Sequence, residues 1–165
     1  MNKLVIGVLG HRNSGKSKTW YSLFGNDKIK TGKKMRKLYL NQSEYVNVFL
    51  VSGSPEERNK YVGEIITVHE PSIVLCAMQY RKDVTQTIDY FSDRDYQIYC
   101  HWLNPGYKDD NQHFAPDILG IFKYLIDLNA SVAIRNGKID VNPRVQELRE
   151  YLYGWAKYRN LIIVD

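Results

Sequence analysis

The stretch LVIGVLGHRNSGKS, residues 4–17, joins a nearly continuous apolar run to a loop that contains two glycines, a lysine and a serine. Apolar residues at successive positions predict a strand that is buried on both faces of a parallel sheet. Residues 16–24 then place apolar side chains at helical spacing, and Gly25 supplies a stop signal. Residues 10–17, which we call the glycine loop, are therefore expected to connect a strand to a helix.

Strand and helix patterns alternate along the rest of the chain. Strands are predicted at residues 4–9, 36–40, 45–51, 73–78, 96–103 and 161–164, and helices at 16–24, 55–69, 116–128 and from 83 and 142 onward. The strands at 36–40 and 45–51 are predicted to be antiparallel. Asn136-Gly137 predicts a hairpin over residues 131–141, because both residues tolerate positive φ angles.

This alternation predicts an α/β fold, a three-layer α/β/α sandwich with a mostly parallel central sheet. A chain of 165 residues favours one domain, over residues 1–165. In such sheets the ligand site lies at the carboxyl ends of the strands. The glycine loop falls at one of these ends.

The glycine loop matches the pattern G-x-x-x-x-G-K-[ST]. Its glycines allow backbone amides to turn inward and form a nest for anionic oxygens at a helix N-terminus. Lys16 is the predicted catalytic residue because its ammonium group can stabilise charge on transferred phosphate, and the Ser17 hydroxyl is a hard oxygen ligand suited to Mg²⁺. The predicted nucleotide-binding residues are Gly10, His11, Arg12, Asn13, Ser14, Gly15, Lys16, Ser17 and Lys18.

At these residues the chain resembles the P-loop NTPase superfamily. The resemblance implies a three-layer α/β fold and binding of ATP or GTP together with Mg²⁺. Its specific part covers residues 4–24, and the rest of the chain supports it through the order of strands and helices.

A second motif of that superfamily is not found in the sequence. Most members that hydrolyse nucleotide carry an acidic residue at the end of another apolar strand, where it holds the magnesium shell or a water. The candidate strands here end at Ser52, Gln79 and Asn104, and only the terminal strand is followed by an acid, Asp165. The sequence therefore leaves catalytic activity open.

Two branches of the superfamily fit the order of elements. With Thr31 in a loop after the first helix, the order is similar to that of small GTPases, but Ser52-Gly53-Ser54-Pro55 and Asn104-Pro105-Gly106-Tyr107 replace their diagnostic motifs. Small P-loop kinases also fit, because basic residues follow strand ends, where such groups can close over a phosphoryl group. These residues are Arg58, Lys60, Arg81 and Lys82. Guanine specificity has no support, so adenine is the default base.

Composition and charge narrow the class of protein further. Hydrophobic residues make up 44% of the chain, and no apolar run approaches the ~18 residues of a membrane span, which predicts a folded, cytoplasmic protein without a membrane partner. Cys76 and Cys100 lie in apolar runs and are expected to be buried. The net charge of +5 favours anionic partners.

Residues 28–37 form a basic run that contains no acid. Its cations are Lys28, Lys30, Lys33, Lys34, Arg36 and Lys37. Beside a phosphate site, such a run can clamp a triphosphate, bind nucleic acid or remain solvated.

The sequence thus predicts a protein that binds ATP or GTP with Mg²⁺ and either hydrolyses the nucleotide or transfers its phosphate. Two alternatives remain. One is a non-catalytic nucleotide-binding adaptor, and the other is a nucleic-acid-binding module that uses Lys28–Lys37.

Overall fold

The computed structural model describes residues 2–165 and shows a mostly parallel sheet with helices on both faces. The elements in chain order are β1 (Leu4–Gly10), α1 (Lys16–Phe24), β2 (Arg36–Tyr39), β3 (Glu44–Val51), α2 (Val62–Ile65), β4 (Ile73–Gln79), α3 (Val84–Ser92), β5 (Gln97–Leu103), α4 (Ile121–Asp127), β6 (Ser131–Arg135), α5 (Asn142–Tyr158) and β7 (Ile163–Val164). The strand order is β2-β3-β4-β1-β5-β6, and β7 pairs with β3.

The sheet is parallel from β3 to β6, and its antiparallel pairs both involve β3. β1 pairs in parallel with β4 and β5, and the pairs β3–β4 and β5–β6 are also parallel. β2 and β7 run antiparallel to β3. Every residue of β1 and β4 is buried, because helices cover both faces of the sheet.

Two apolar clusters fill the space between the sheet and its helices. One contains side chains of α2, α3 and α4, and the other contains side chains of α1 and α5. The predicted α/β class with a mostly parallel sheet is therefore confirmed. Cys76 and Cys100 are free thiols and fully buried, as expected.

The predicted helix over residues 55–69 is wrong. A turn over residues 55–59 ends at Asn59, whose φ of 49° is left-handed, and only Val62–Ile65 are helical. The carboxylate of Glu56 points into the protein and accepts a hydrogen bond of 2.7 Å from a backbone amide at the end of β4. This tertiary contact overrides the local helix signal.

The predicted helix over residues 116–128 is shorter in the structure, where α4 covers Ile121–Asp127. The Asp117 carboxylate accepts hydrogen bonds of 3.0 and 3.1 Å from backbone amides of the first turn of α4, so the helix begins after it. Helical spacing over residues 116–128 predicts that Ile118 and Ile126 lie on the buried side of the helix, but both are exposed. Ile118 precedes the helix and is 81% exposed, and Ile126 is 44% exposed.

The hairpin predicted over residues 131–141 does not form. β6 instead pairs in parallel with β5, and residues 138–140 belong to no strand. The backbone amide of Gly137 donates a hydrogen bond of 2.7 Å to the carbonyl of Pro105 in the loop after β5. The Asn-Gly turn therefore packs against a neighbouring loop instead of starting a second strand.

The end of the chain lies along β3 and β2. The terminal strand β7 has two residues, fewer than predicted, and Asp165 accepts a hydrogen bond of 2.5 Å from the Tyr39 hydroxyl group. The Asp165 carboxylate is thus hydrogen-bonded to β2, at the antiparallel edge of the sheet. In the described part of the chain, no helix has the length and apolar character needed to cross a membrane.

Candidate functional site

The glycine loop connects β1 directly to the first turn of α1. Gly15 is the N-cap of the helix with φ of 105°, a conformation that glycine adopts without the steric cost of a Cβ atom. Within residues 2–165 we find no hydrogen-bond acceptor for the backbone amides of Gly15, Lys16, Ser17 and Lys18. These amides form the positive end of the helix, an arrangement that favours anions.

Two further loops at the same edge of the sheet support the glycine loop. The amides of Tyr107 and Lys108, after β5, donate to the carbonyls of Ser14 and Asn13 at 2.9 and 3.1 Å. Gly137, after β6, packs so closely that a Cβ atom there would lie 2.5 Å from the Ser14 carbonyl oxygen. The loop is therefore held in its conformation by backbone contacts.

The ammonium group of Lys16 lies inside the glycine loop. Its Nζ donates to the carbonyl oxygens of Gly10 and His11 at 3.1 and 2.8 Å and to Gln79 Oε1 at 3.1 Å. Glu57 Oε1 lies 3.5 Å from the same nitrogen. Burial lowers the pKa of Lys16, while the Glu57 carboxylate opposes that shift. The Lys16 ammonium group is therefore held inside the loop that leads to the free amides of α1.

Glu57 is the one acidic side chain among the residues that line the cavity at this loop. The cavity has a volume of about 300 Å³ and is lined by Asn13, Ser14, Gly15, Lys16, Ser17, Lys18, Glu57, Tyr107 and Lys108. Sequence reasoning missed Glu57 because it looked for an acid directly at a strand end. Glu57 comes six residues after Val51, the end of β3, and the turn over residues 55–59 carries it to Lys16.

The neighbouring Glu56 has a different environment and a different role. It is 5% exposed, and its two carboxylate oxygens accept hydrogen bonds from the backbone amide of Gln79 at 2.7 Å and from the Thr87 hydroxyl group at 2.5 Å. Burial raises the pKa of Glu56, and these two hydrogen bonds oppose the rise. Glu56 therefore anchors the turn to β4 and α3, and this anchor positions Glu57.

The other predicted loop residues divide by exposure. Ser14 is buried, whereas His11, Arg12, Asn13, Ser17 and Lys18 are exposed. The Lys18 ammonium lies 3.6 Å from the centre of the Tyr107 ring, a cation–π contact across the cavity lining. Of the predicted site residues, Asn13, Ser14, Gly15, Lys16, Ser17 and Lys18 line the cavity, whereas Gly10, His11 and Arg12 do not.

Several residues at positions that were compared with family motifs make contacts within the fold. Asn104 both donates to and accepts from the backbone of Ala115, at 2.8 and 2.9 Å, so it closes the loop after β5. The backbone amide of Thr31 donates to the Ser52 hydroxyl oxygen at 2.9 Å, and the backbone amide of Ser52 donates to the Thr31 hydroxyl oxygen at 2.8 Å. Arg81 is paired with the carboxylate of Asp83 at 2.7 Å.

The residues around the loop include two oxygen donors of the kind that bind Mg²⁺. Among residues 2–165, no three His, Cys, Asp or Glu side chains are grouped closely enough to hold a metal by themselves. Mg²⁺ commonly retains water and uses one or two protein oxygens together with substrate phosphates. The Ser17 hydroxyl and the Glu57 carboxylate are oxygen ligands of that kind and line the same cavity.

A scan against models of protein families matches none of them, and a search of curated proteins finds no similar chain. The class of protein is therefore inferred from the residues of the glycine loop and their contacts.

Proposed function

We propose that this protein is a P-loop nucleotide-binding protein that binds ATP or GTP with Mg²⁺ at the glycine loop and hydrolyses the nucleotide or transfers its γ-phosphate. One observation carries the proposal. Lys16 and the residues that carry the free amides at the start of α1 line one cavity of about 300 Å³. A lysine and a set of backbone amides around one cavity are complementary to polyphosphate.

Each group has a separate task in this proposal. The amides of the first turn bind phosphate oxygens, and Lys16 exchanges its carbonyl partners for an oxygen of the transferred group. Ser17 and Glu57 would hold Mg²⁺, which neutralises phosphate charge when bound. Glu57 also accepts a proton from the attacking hydroxyl group or water. Its position 3.5 Å from Lys16 supports this role.

Calorimetric titration with ATP and GTP, each with and without Mg²⁺, tests the proposal. We expect a dissociation constant in the range of about 1–100 μM for one of them with Mg²⁺, which corresponds to about 5 to 8 kcal/mol. Lys16→Ala is expected to weaken binding at least about tenfold, because the buried ammonium group of the loop is removed.

Lys123→Ala is the matched control, because Lys123 is exposed on α4 and pairs with Asp127. It is expected to bind nucleotide like the wild type. Absence of wild-type binding to both nucleotides in the presence of Mg²⁺ would overturn the proposal, and so would unchanged affinity in Lys16→Ala.

A second candidate function is nucleic-acid binding through the basic run. Lys28, Lys30, Lys33 and Lys34 are exposed, and no ion pair involves them within the part of the chain that the structure describes. The Thr31–Ser52 hydrogen bonds hold the centre of the run against the end of β3. We propose that this anchored row of cations binds the phosphates of single-stranded nucleic acid.

Fluorescence anisotropy with a labelled oligonucleotide over a range of salt concentrations tests the second function. Replacing the four lysines by glutamine is expected to reduce the slope of log K against log salt by about 3, at about 0.7 per lost phosphate contact. A variant with Lys60, Lys82, Lys123 and Lys157 replaced is the control with equal charge. Equal losses in both variants would show that binding depends on net charge alone, and the proposal would fail.

A further inference from the structure

Arg144, in the first turn of α5, is a buried cation without a counterion. Its side chain lies behind the glycine loop, where Nη2 is 3.5 Å from both the Gly15 carbonyl oxygen and the Thr19 hydroxyl oxygen. The residue is 4% exposed, and its Nε and Nη1 atoms are buried without a hydrogen-bond partner. Of the residues that the structure describes, none forms an ion pair with it.

This arrangement is costly in the absence of an anion. Arginine remains protonated in proteins, and a buried charge needs a partner of opposite sign to offset its loss of hydration. Burial lowers the pKa of Arg144, and the carboxylate of Asp140, which is exposed, opposes the shift. No described carboxylate approaches within the distance of an ion pair.

The helix end and the ammonium group near Arg144 add positive potential, which acts against the contribution of Asp140. Gly15 separates it from the first turn of α1, the positive end of that helix. Lys16 follows Gly15 in the chain and places its ammonium group inside the loop. His101 is also close enough to interact electrostatically, and burial lowers its pKa to about 4, so that ring is neutral at pH 7. A polyphosphate in the cavity would supply the missing negative charge.

We propose that Arg144 is a positioning residue for polyphosphate, acting through the Gly15 peptide and the start of α1 with a charge that is compensated when anionic phosphate occupies the glycine loop. The inference rests on the proposed nucleotide site and deepens it. It predicts that Arg144 increases the affinity for ligands with more phosphate groups, since the attraction between charges grows with the charge of the ligand.

Titration of wild type, Arg144→Met and Arg144→Lys with ATP, ADP, GTP, GDP and inorganic tripolyphosphate tests the inference. Methionine removes the charge and keeps an unbranched apolar stem, while lysine keeps the charge. We expect Arg144→Met to weaken ATP binding about tenfold and ADP binding less, and Arg144→Lys to remain within about threefold of wild type for each ligand.

Thermal unfolding without ligand supplies a readout that a purely structural role would not give. Removal of an uncompensated buried charge is expected to raise the midpoint of Arg144→Met while its ATP affinity falls. Arg144→Gln is a second charge-free variant in case the methionine variant does not fold. Equal losses in the lysine and methionine variants, equal losses for ATP and ADP, or unchanged binding in the charge-free variants would overturn the inference.

The wild-type titration separates this inference from the proposed function. Binding of ATP or GTP by wild type supports the nucleotide site, and the variants then decide the role of Arg144. If wild type binds only tripolyphosphate, the nucleotide proposal fails, but the effect of Arg144→Met on tripolyphosphate still decides the inference. If wild type binds none of these ligands, both fail.

Discussion

Replacing Glu57 by glutamine is expected to reduce nucleotide turnover by about 10²- to 10⁴-fold, the range associated with loss of a general base. An amide cannot accept the proton of the attacking group at neutral pH. In titrations without Mg²⁺, nucleotide affinity is expected to stay equal or to increase, because the ion pair of 3.5 Å that engages Lys16 is lost and one repulsive charge leaves the cavity. Phosphate release and calorimetric titration measure the two effects separately.

Glu150→Gln is the control for the Glu57 prediction, since Glu150 is exposed on α5 and contacts Gln146 at 3.2 Å. It should retain both affinity and turnover. Unchanged turnover in Glu57→Gln would contradict the role of Glu57 as a base. If the wild type binds nucleotide but releases no more phosphate than Lys16→Ala, the protein is better described as a non-catalytic nucleotide-binding adaptor.

Loss of His101 is expected to flatten the dependence of folding stability on pH between about 6.5 and 4. The ring is 0% exposed, and its Nε2 lies 3.2 Å from both the Glu147 carboxylate and the Tyr99 hydroxyl group. Burial lowers the pKa of His101 to about 4, while Glu147 opposes the shift. The unfolded chain keeps the ordinary pKa near 6.5 and therefore binds the proton first as pH falls.

The free energy of unfolding of wild type consequently falls as pH decreases through this window. A change in pKa from 6.5 to about 4 corresponds to a loss of about 3 kcal/mol in the free energy of unfolding. This loss is absent above pH 6.5 and is complete below pH 4. Urea unfolding of wild type and His101→Gln at several pH values measures the difference. His113→Gln, at an exposed position, is the control. A His101→Gln curve parallel to that of wild type would contradict the prediction.

Local sequence was sufficient to predict the strand β1, the helix α1 and the loop between them. These elements depend on patterns among a few neighbouring residues, namely a continuous apolar run, apolar residues at helical spacing and glycines at turns. Such patterns can be recognised directly in the sequence. The same reasoning failed at residues 55–69 and at Asn136-Gly137. In both places contacts with distant residues replace the local preference.

The amino-acid sequence by itself determined an α/β fold with a mostly parallel sheet, and a glycine loop that carries Lys16 at the start of a helix. Only the tertiary structure decided that Glu57 lies beside Lys16 and that Arg144 is buried behind Gly15. The physical reason is that charges interact through space. Which charges lie close together is therefore set by how strands and loops pack at the carboxyl edge of the sheet. The separation of two residues along the sequence does not predict that packing.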